Sequence, residues 1–189
     1  MQFTLIRHAK SKVDSEVPIT LWGLTPDGVE QADMLAKENV IQKLEVIYAS
    51  SQTKAIETML YLAKPNYLPM RIHAGLAEIS SFTDKFYKGQ QYEDNIKDFY
   101  TGTITRLDSG ESVEEALTRF EAALDSIARE NSDKQHVGIV THGYVLSFLT
   151  ARYTNASALH WHHAIAMPDV ATFDWSSKSF VKLWSGEYL

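Results

Sequence analysis

"QFTLIRHAKS", Gln2 to Ser11, runs apolar through Phe3, Leu5 and Ile6 and then ends on Arg7 and His8. The run reads as a buried strand, and its end is a costly place for two polar side chains unless they hold something. Much further along, "QHVGIVTHGYVL", Gln135 to Leu146, repeats the arrangement. "HVGIVTH" is the strongest strand signal in the chain; it ends on His142, and Gly143 opens the apolar helix "GYVLSFLTARY".

Between these two strands the pattern alternates. "TPDGVEQADMLAKENV" is predicted to be a helix, with Thr25 as N-cap, Pro26 at its first position and Val29, Ala32 and Ala36 on one face. "EVIYAS" is a second strand, after which Ser51 is expected to cap the helix "QTKAIETMLYLAK" and Pro65 to stop it. "MRIHAGL" is a short third strand, followed by an irregular aromatic-rich stretch from Ser80 to Asp108. Val113, Ala116, Leu117, Phe120, Leu124 and Ile127 share helical spacing, and Ser112 with Glu115 fits a capping box. "VATFDW" and "FVKLW" are two closing strands that suit a hairpin. This order predicts an α/β three-layer sandwich, a mostly parallel central sheet with helices on both faces.

The chain has 189 residues, enough for one domain and short for two, so residues 1–189 are expected to form a single domain. A net charge of −6 argues against a general nucleic-acid binder. It argues only weakly against a phosphorylated substrate, because exposed charges are screened within about 8 Å at physiological salt. Without cysteine there is no disulfide framework and no thiolate chemistry. No apolar run is long enough to span a membrane and no basic-then-apolar leader opens the chain, so the expected location is the cytoplasm.

In a parallel sheet ligands bind beyond the carboxyl ends of the strands. Arg7 and His8, Ser50 and Ser51, Glu78, and His142 with Gly143 all follow strands, so they are expected along one edge. Two histidines, an arginine and a carboxylate among helix N-termini suit phosphate chemistry better than acyl transfer or metal binding. The Arg7 guanidinium is a donor fork matched to phosphate oxygens, a neutral imidazole is a nucleophile, and Arg7 would help keep His8 unprotonated. Taken singly, each residue also has a structural reading: a surface Arg-His pair, a glycine that starts a helix, a solvated carboxylate.

Taken together, the segments resemble a known family. "LIRHAKS" is similar to an Arg-His-Gly motif, "LTPDGVEQADMLA" to Leu-Thr-x-x-Gly-x-x-Gln-Ala, and "IYASSQTKAIETM" to Tyr-Ser-Ser-Pro-Leu-x-Arg-Ala-x-Gln-Thr-Ala. "LAEI", "GESVEEALTRF", "VGIVTHGYVL" and "MPDVATFDW" match its Leu-x-Glu, Gly-Glu-Ser…Arg, His-Gly and Pro-Asn-Ala-x-Thr elements in order. These are the motifs of the histidine phosphatases of the phosphoglycerate mutase superfamily, and the resemblance runs through nearly the whole chain. It implies that His8 is a nucleophile that becomes phosphorylated, and that Arg7, Lys54, His142 and Gly143 bind the phosphoryl group. It implies that Glu78 is the general acid and then the base, with no metal and no cofactor. A phosphorylated small molecule or a phosphoprotein, phosphohistidine included, is the implied substrate.

The chain departs from the family pattern at three points. Ala9 follows His8 where glycine is usual, Lys54 stands where the second phosphate-binding arginine belongs, and "ISSF" replaces the Gly-x-Trp-x-Gly that commonly follows the glutamate. The length leaves no room for the insertion of the glycolytic mutases, which favours a phosphatase. A catalytically weak relative that binds phosphorylated ligands or protein partners is the other reading. Residues 80–108, with Phe82, Phe86, Tyr87, Tyr92, Phe99 and Tyr100, are expected to form a covering layer or a lid. "HWHH", His160 to His163, is expected to be a helix-to-strand connection rather than a metal site, since adjacent spacing turns the rings to different sides.

Overall fold

The computed structural model describes residues 1–79, 90–107 and 110–186, with the backbone alone at 90–93. Its described strands are β1 (Gln2–Arg7), β2 (Val46–Ala49), β3 (Met70–Ile72), β4 (His136–Thr141), β5 (Asp169–Asp174) and β6 (Ser179–Lys182). They form one sheet in the order β3-β2-β4-β1-β5-β6. β1 to β4 run parallel, β5 lies antiparallel to β1, and β6 antiparallel to β5.

Strand periodicity divides the apolar residues between two cores. Phe3 and Leu5, Val46 and Tyr48, Val137 and Ile139, Ala171 and Phe173 enter one core. Ile6, Ile47, Ala49, Val140 and Val170 enter the other. The second core is completed by α1 (Pro26–Leu35), α2 (Asn39–Gln42) and α3 (Thr53–Asn66) through Leu35, Ile41, Ala55, Met59 and Leu62. The first is completed by α5 (Val113–Glu130), α6 (Gly143–Arg152) and α7 (Ala158–Ala164) through Phe120, Leu124, Ile127, Leu146, Leu149 and Trp161. The sandwich therefore has helices on both faces, as the alternation predicts. Phe120 is fully buried, and truncating such a ring costs about 3–5 kcal/mol.

Several elements differ from the sequence reading. The helix expected through residue 40 breaks after Leu35, and α2 restarts at Asn39. On one continuous helix Ile41 would lie about 240° around from Leu35, off the apolar face; the break lets it bury completely. α3 is capped by Gln52 and not Ser51, and it runs through Pro65 to Asn66. It stops where Tyr67 turns left-handed (φ 53°), with Leu68 N–H donating to Ala63 O at 3.1 Å, a Schellman closure without glycine.

Part of the stretch expected to be irregular is a regular helix, α4 (Gln90–Thr101). Its Phe99 and Tyr100 pack on Phe148 of α6, at ring-centroid distances of 5.3 and 4.8 Å. Phe82, Phe86, Tyr87 and the side chain of Tyr92 lie outside the described residues. "HWHH" is helical, inside α7, with Trp161 buried, His162 half-buried and His160 and His163 exposed.

Candidate active site

Strand register gathers the predicted residues at one edge. Arg7 pairs with Thr141, and the ladder continues one step further as His8 N–H donates to Thr141 O at 3.0 Å. On the other side of β4, Ser50 N–H donates to Val140 O at 3.1 Å. The ends of β1, β2 and β4 are thus level, with His8, Ser50 and His142 abreast.

His8 is buried, and its Nδ1 donates to the Ala9 carbonyl at 2.8 Å. That bond puts the proton of a neutral ring on Nδ1 and leaves a lone pair on Nε2. The loop is clamped from α3: Ala9 N–H donates to Thr58 Oγ at 3.0 Å, and the same hydroxyl donates to Lys54 O at 2.7 Å. α1 seats on the next residue, where Thr25 N–H donates to Lys10 O at 3.0 Å. A Cβ on Gly28 would stand 2.1 Å from that same oxygen, so glycine is required there. Burial, then the charge of Lys54, then that of Arg7 push the His8 pKa down to about 3. Arg7 does keep His8 neutral, but it is the smallest of the three causes.

His142 caps α6, its ring centroid 5.2 Å from that of His8 and its Nε2 2.6 Å from Ser50 Oγ. Burial and the neighbouring His8, Lys54 and Arg7 hold its pKa well below the usual histidine range. Arg7 Nη1 donates to Ile165 O at 2.6 Å, at the end of α7. A Cβ on Gly143 would come within 3.1 Å of the Arg7 guanidinium, so the glycine after His142 makes room for the arginine.

Lys54 lies in the first turn of α3, only 6% exposed. Its Nζ donates to Ile19 O at 3.2 Å and stands 5.6 Å from the centre of the Trp22 ring. Its charge acts on His8, His142 and Glu78 alike. Arg71, Arg106 and Arg152 do not share this position. Arg71 donates to Met70 O on the edge strand β3, Arg106 pairs with Glu115, and Arg152 pairs with Glu114 and Glu121.

Glu78 closes the site from the 3-10 turn Ala74–Leu76 that follows β3. Its Oε2 accepts from Tyr144 N–H at 2.8 Å; Oε1 accepts from Val145 N–H at 2.8 Å and Ile79 N–H at 2.9 Å. The carboxyl group therefore sits on the N-terminus of α6. Burial raises its pKa; the three N–H donors and Lys54 oppose that rise, and burial wins.

Three contributors escaped the sequence reading. Ser50 was placed at the edge, but its contact with His142 was not foreseen. Arg119 donates to Gly75 O at 2.7 Å and Ala77 O at 3.1 Å while pairing with Glu111 at 2.6 Å, which fixes the segment carrying Glu78. The signal was the match of "GESVEEALTR" to a family element, read only as a helix start. Asp169, paired opposite Arg7 in the sheet, is fully buried and accepts from the N–H groups of Ala166, Val170, Ser185 and Gly186.

The arrangement offers a ring-nitrogen lone pair among two fixed cations, a second imidazole and a buried carboxyl group, which together can hold and attack a phosphate dianion. Among the described residues no group of three or more His, Cys, Asp or Glu is arranged to hold a metal ion.

Comparison with known proteins agrees with this chemistry. The model of the histidine phosphatase superfamily (branch 1) matches residues 3–185, and the chain belongs to that family. It is accordingly a phosphoric monoester hydrolase of the histidine phosphatase type. A Hydrogenobacter thermophilus protein named "Putative phosphoserine phosphatase 2" is 28% identical over 168 residues, covering 79% of this chain and 77% of that one. A variant phosphoserine phosphatase from Entamoeba histolytica, solved with phosphoserine, superposes with a TM-score of 0.76 at 20% identity, over 100% of this chain and 98% of that one. YhfR of Bacillus stearothermophilus superposes with a TM-score of 0.75 at 25% identity, over 98% and 96% of the two chains.

Proposed function

We propose that the chain hydrolyses phosphomonoesters through a phosphohistidine formed on His8. The observation that carries this reading is the 2.8 Å bond from His8 Nδ1 to Ala9 O, which leaves Nε2 as the free lone pair. Nε2 attacks phosphorus, the ester P–O bond breaks, and Glu78 gives its proton to the leaving oxygen. A water molecule then returns a proton to Glu78 and attacks phosphorus; the P–N bond breaks and inorganic phosphate leaves. Arg7, Lys54 and His142 hold the phosphoryl oxygens throughout, with Arg7 in the room that Gly143 leaves it.

Glu78 has space for its proton. A carboxylate has about four lone-pair sites, and three N–H donors occupy three of them.

For substrate, small phosphorylated acids are supported by the relatives: the Entamoeba histolytica phosphoserine phosphatase is known with phosphoserine and with 3-phosphoglyceric acid. Phosphohistidine or a phosphoprotein belongs in the same screen. Within the stretch 80–108, selection of the leaving group is assigned to α4, whose Phe99 and Tyr100 pack on Phe148 and, for Tyr100, on His162; residues 80–89 and 108 of the expected lid lie outside the described residues. A cytoplasmic location goes with this reading; among the described residues no helix is long and apolar enough to cross a membrane. The second reading, a slow relative that mainly binds phosphorylated ligands, draws on lysine in place of arginine at position 54. Hydrolysis of an aryl phosphate with a chelator present separates the two. The parent is expected to turn over, and His8→Ala to lose about four orders of magnitude or more with its circular dichroism unchanged. Parental turnover by His8→Ala would remove His8 from the chemistry.

A further inference from the structure

Ser50 is a fully buried hydroxyl to which the proposed reaction gives no task. It lies one residue beyond β2, where the bond from its N–H to Val140 O continues the sheet ladder and fixes its position beside His142. Its Oγ accepts from Gln52 N–H at 3.3 Å and stands 2.6 Å from His142 Nε2. His142 is 1% exposed, and its other ring nitrogen, Nδ1, is buried with no hydrogen-bond partner among the described residues.

We propose that Ser50 sets the tautomer of His142: the hydroxyl donates to Nε2, the ring proton sits on Nδ1, and Nδ1–H is the donor that meets the phosphoryl group. Two tautomers satisfy the 2.6 Å contact, and only this one serves an anion. With the proton on Nε2, the ring would donate to Ser50 and turn a bare lone pair on Nδ1 towards phosphoryl oxygens. With the proton on Nδ1, a buried donor without a partner among the described residues gains one from the anion. The Gln52 N–H favours this arrangement, because it occupies a lone pair of Ser50 Oγ and leaves the hydroxyl proton for Nε2. Burial beside Arg7 and Lys54 disfavours the cationic ring, which would carry protons on both nitrogens. Ser50 is thus a positioning residue acting through His142, and the inference rests on reading the site as one of phosphoryl transfer.

The test reads the proton directly. In protein labelled with 15N at histidine, and assigned by comparison with His142→Gln, the parent is expected to show His142 protonated at Nδ1 and bare at Nε2. Ser50→Ala should shift the pair towards a mixture of tautomers and lower kcat on an aryl phosphate about 10- to 100-fold, with KM within about threefold. Ser50→Thr, which keeps the hydroxyl, should recover most of that loss, and Ser51→Ala, at the exposed neighbour, should lose nothing. A proton on Nε2 in the parent, or parental kcat in Ser50→Ala, overturns the assignment. The parent spectrum needs no Ser50 variant to fold, only the His142→Gln reference for its assignment, and it stands apart from turnover. An active His8→Ala would defeat the phosphoryl-transfer reading without touching the tautomer result.

Discussion

Around His8 the polar groups are fixed chiefly by backbone, with the hydroxyls of Thr58 and Ser50 beside it. The ladder bond to Thr141 sets its height, the Ala9 carbonyl sets its proton, and Thr58 ties Ala9 to α3. Beyond Arg7 the wall is made of side chains: Tyr100, Tyr144, Phe148 and His162 pack ring on ring, and Tyr100 Oη lies 3.0 Å from His162 Nδ1. His162 is neutral there, its pKa lowered to about 4 by burial first and then by Arg7 and His163. A backbone-fixed half suits the phosphoryl group, which is the same in every substrate. A side-chain half suits the leaving group, which is not.

The comparison breaks most readily at Glu78, which stands between the halves. Glu78→Gln is expected to slow alkyl phosphates by about 10²–10⁴ and aryl phosphates far less, since only a poor leaving group needs the proton. The sign with pH follows from its raised pKa. The acid works while protonated, so turnover of alkyl phosphates by the parent should fall as pH rises through that pKa, and the glutamine variant should lose this limb. Equal losses on both substrate types would reduce Glu78 to a positioning role.

Lys54 tests the phosphate half alone. Lys54→Ala is expected to lower kcat/KM about 10- to 100-fold on every phosphoester, roughly the worth of one or two charge-assisted hydrogen bonds. Lys54→Arg should remain active. A loss confined to one leaving group would move Lys54 to the other half of the site.

Stability gives a further contrast. His8 and His142 titrate below their ordinary value in the folded protein, so below about pH 6.5 the unfolded chain binds more protons than the folded one. Their contribution is present above that pH and drains away as pH falls, by up to about 1.4 kcal/mol per pH unit for each ring. Denaturant midpoints at pH 7 and pH 5 should show the loss, and His8→Ala should remove only the share of His8, because His142 and His162 still titrate low. The smallest effect is expected at the aromatic wall. Tyr100→Phe removes the contact with His162, worth about 1 kcal/mol, and should change KM severalfold for some leaving groups while kcat on aryl phosphate stays near parental.

The same division decides what the sequence could reveal. His8, Arg7 and His142 were legible because strand alternation and strand-helix order place them at one edge whatever else the chain does. Glu78 was expected directly after a strand running through Leu76, but β3 stops at Ile72 and the 3-10 turn Ala74–Leu76 carries the chain to Glu78; the role proposed for it comes from the family resemblance. Ser50 on His142 and Arg119 on the carbonyls of residues 75 and 77 were not legible, since each joins segments far apart in sequence; Asp169 draws its four N–H donors from its own turn and from the segment after β6, which no local pattern announces. α4 did leave a trace. Ile96, Phe99 and Tyr100 have helical spacing, and all three are buried. Pro65 misled because a proline in a last turn forfeits only one hydrogen bond, and Tyr67 ends the helix instead.

The central claim is covalent, and it can be trapped. Acid would hydrolyse a phosphohistidine, so the reaction with an aryl phosphate should be quenched in base or denaturant within one turnover, digested, and read by mass spectrometry. The expected result is one phosphate on the peptide carrying His8, fragmenting at that residue, absent from His8→Ala and lasting longer in Glu78→Gln. Phosphate on a serine, or steady turnover with no phosphopeptide at any quench time, would contradict the account.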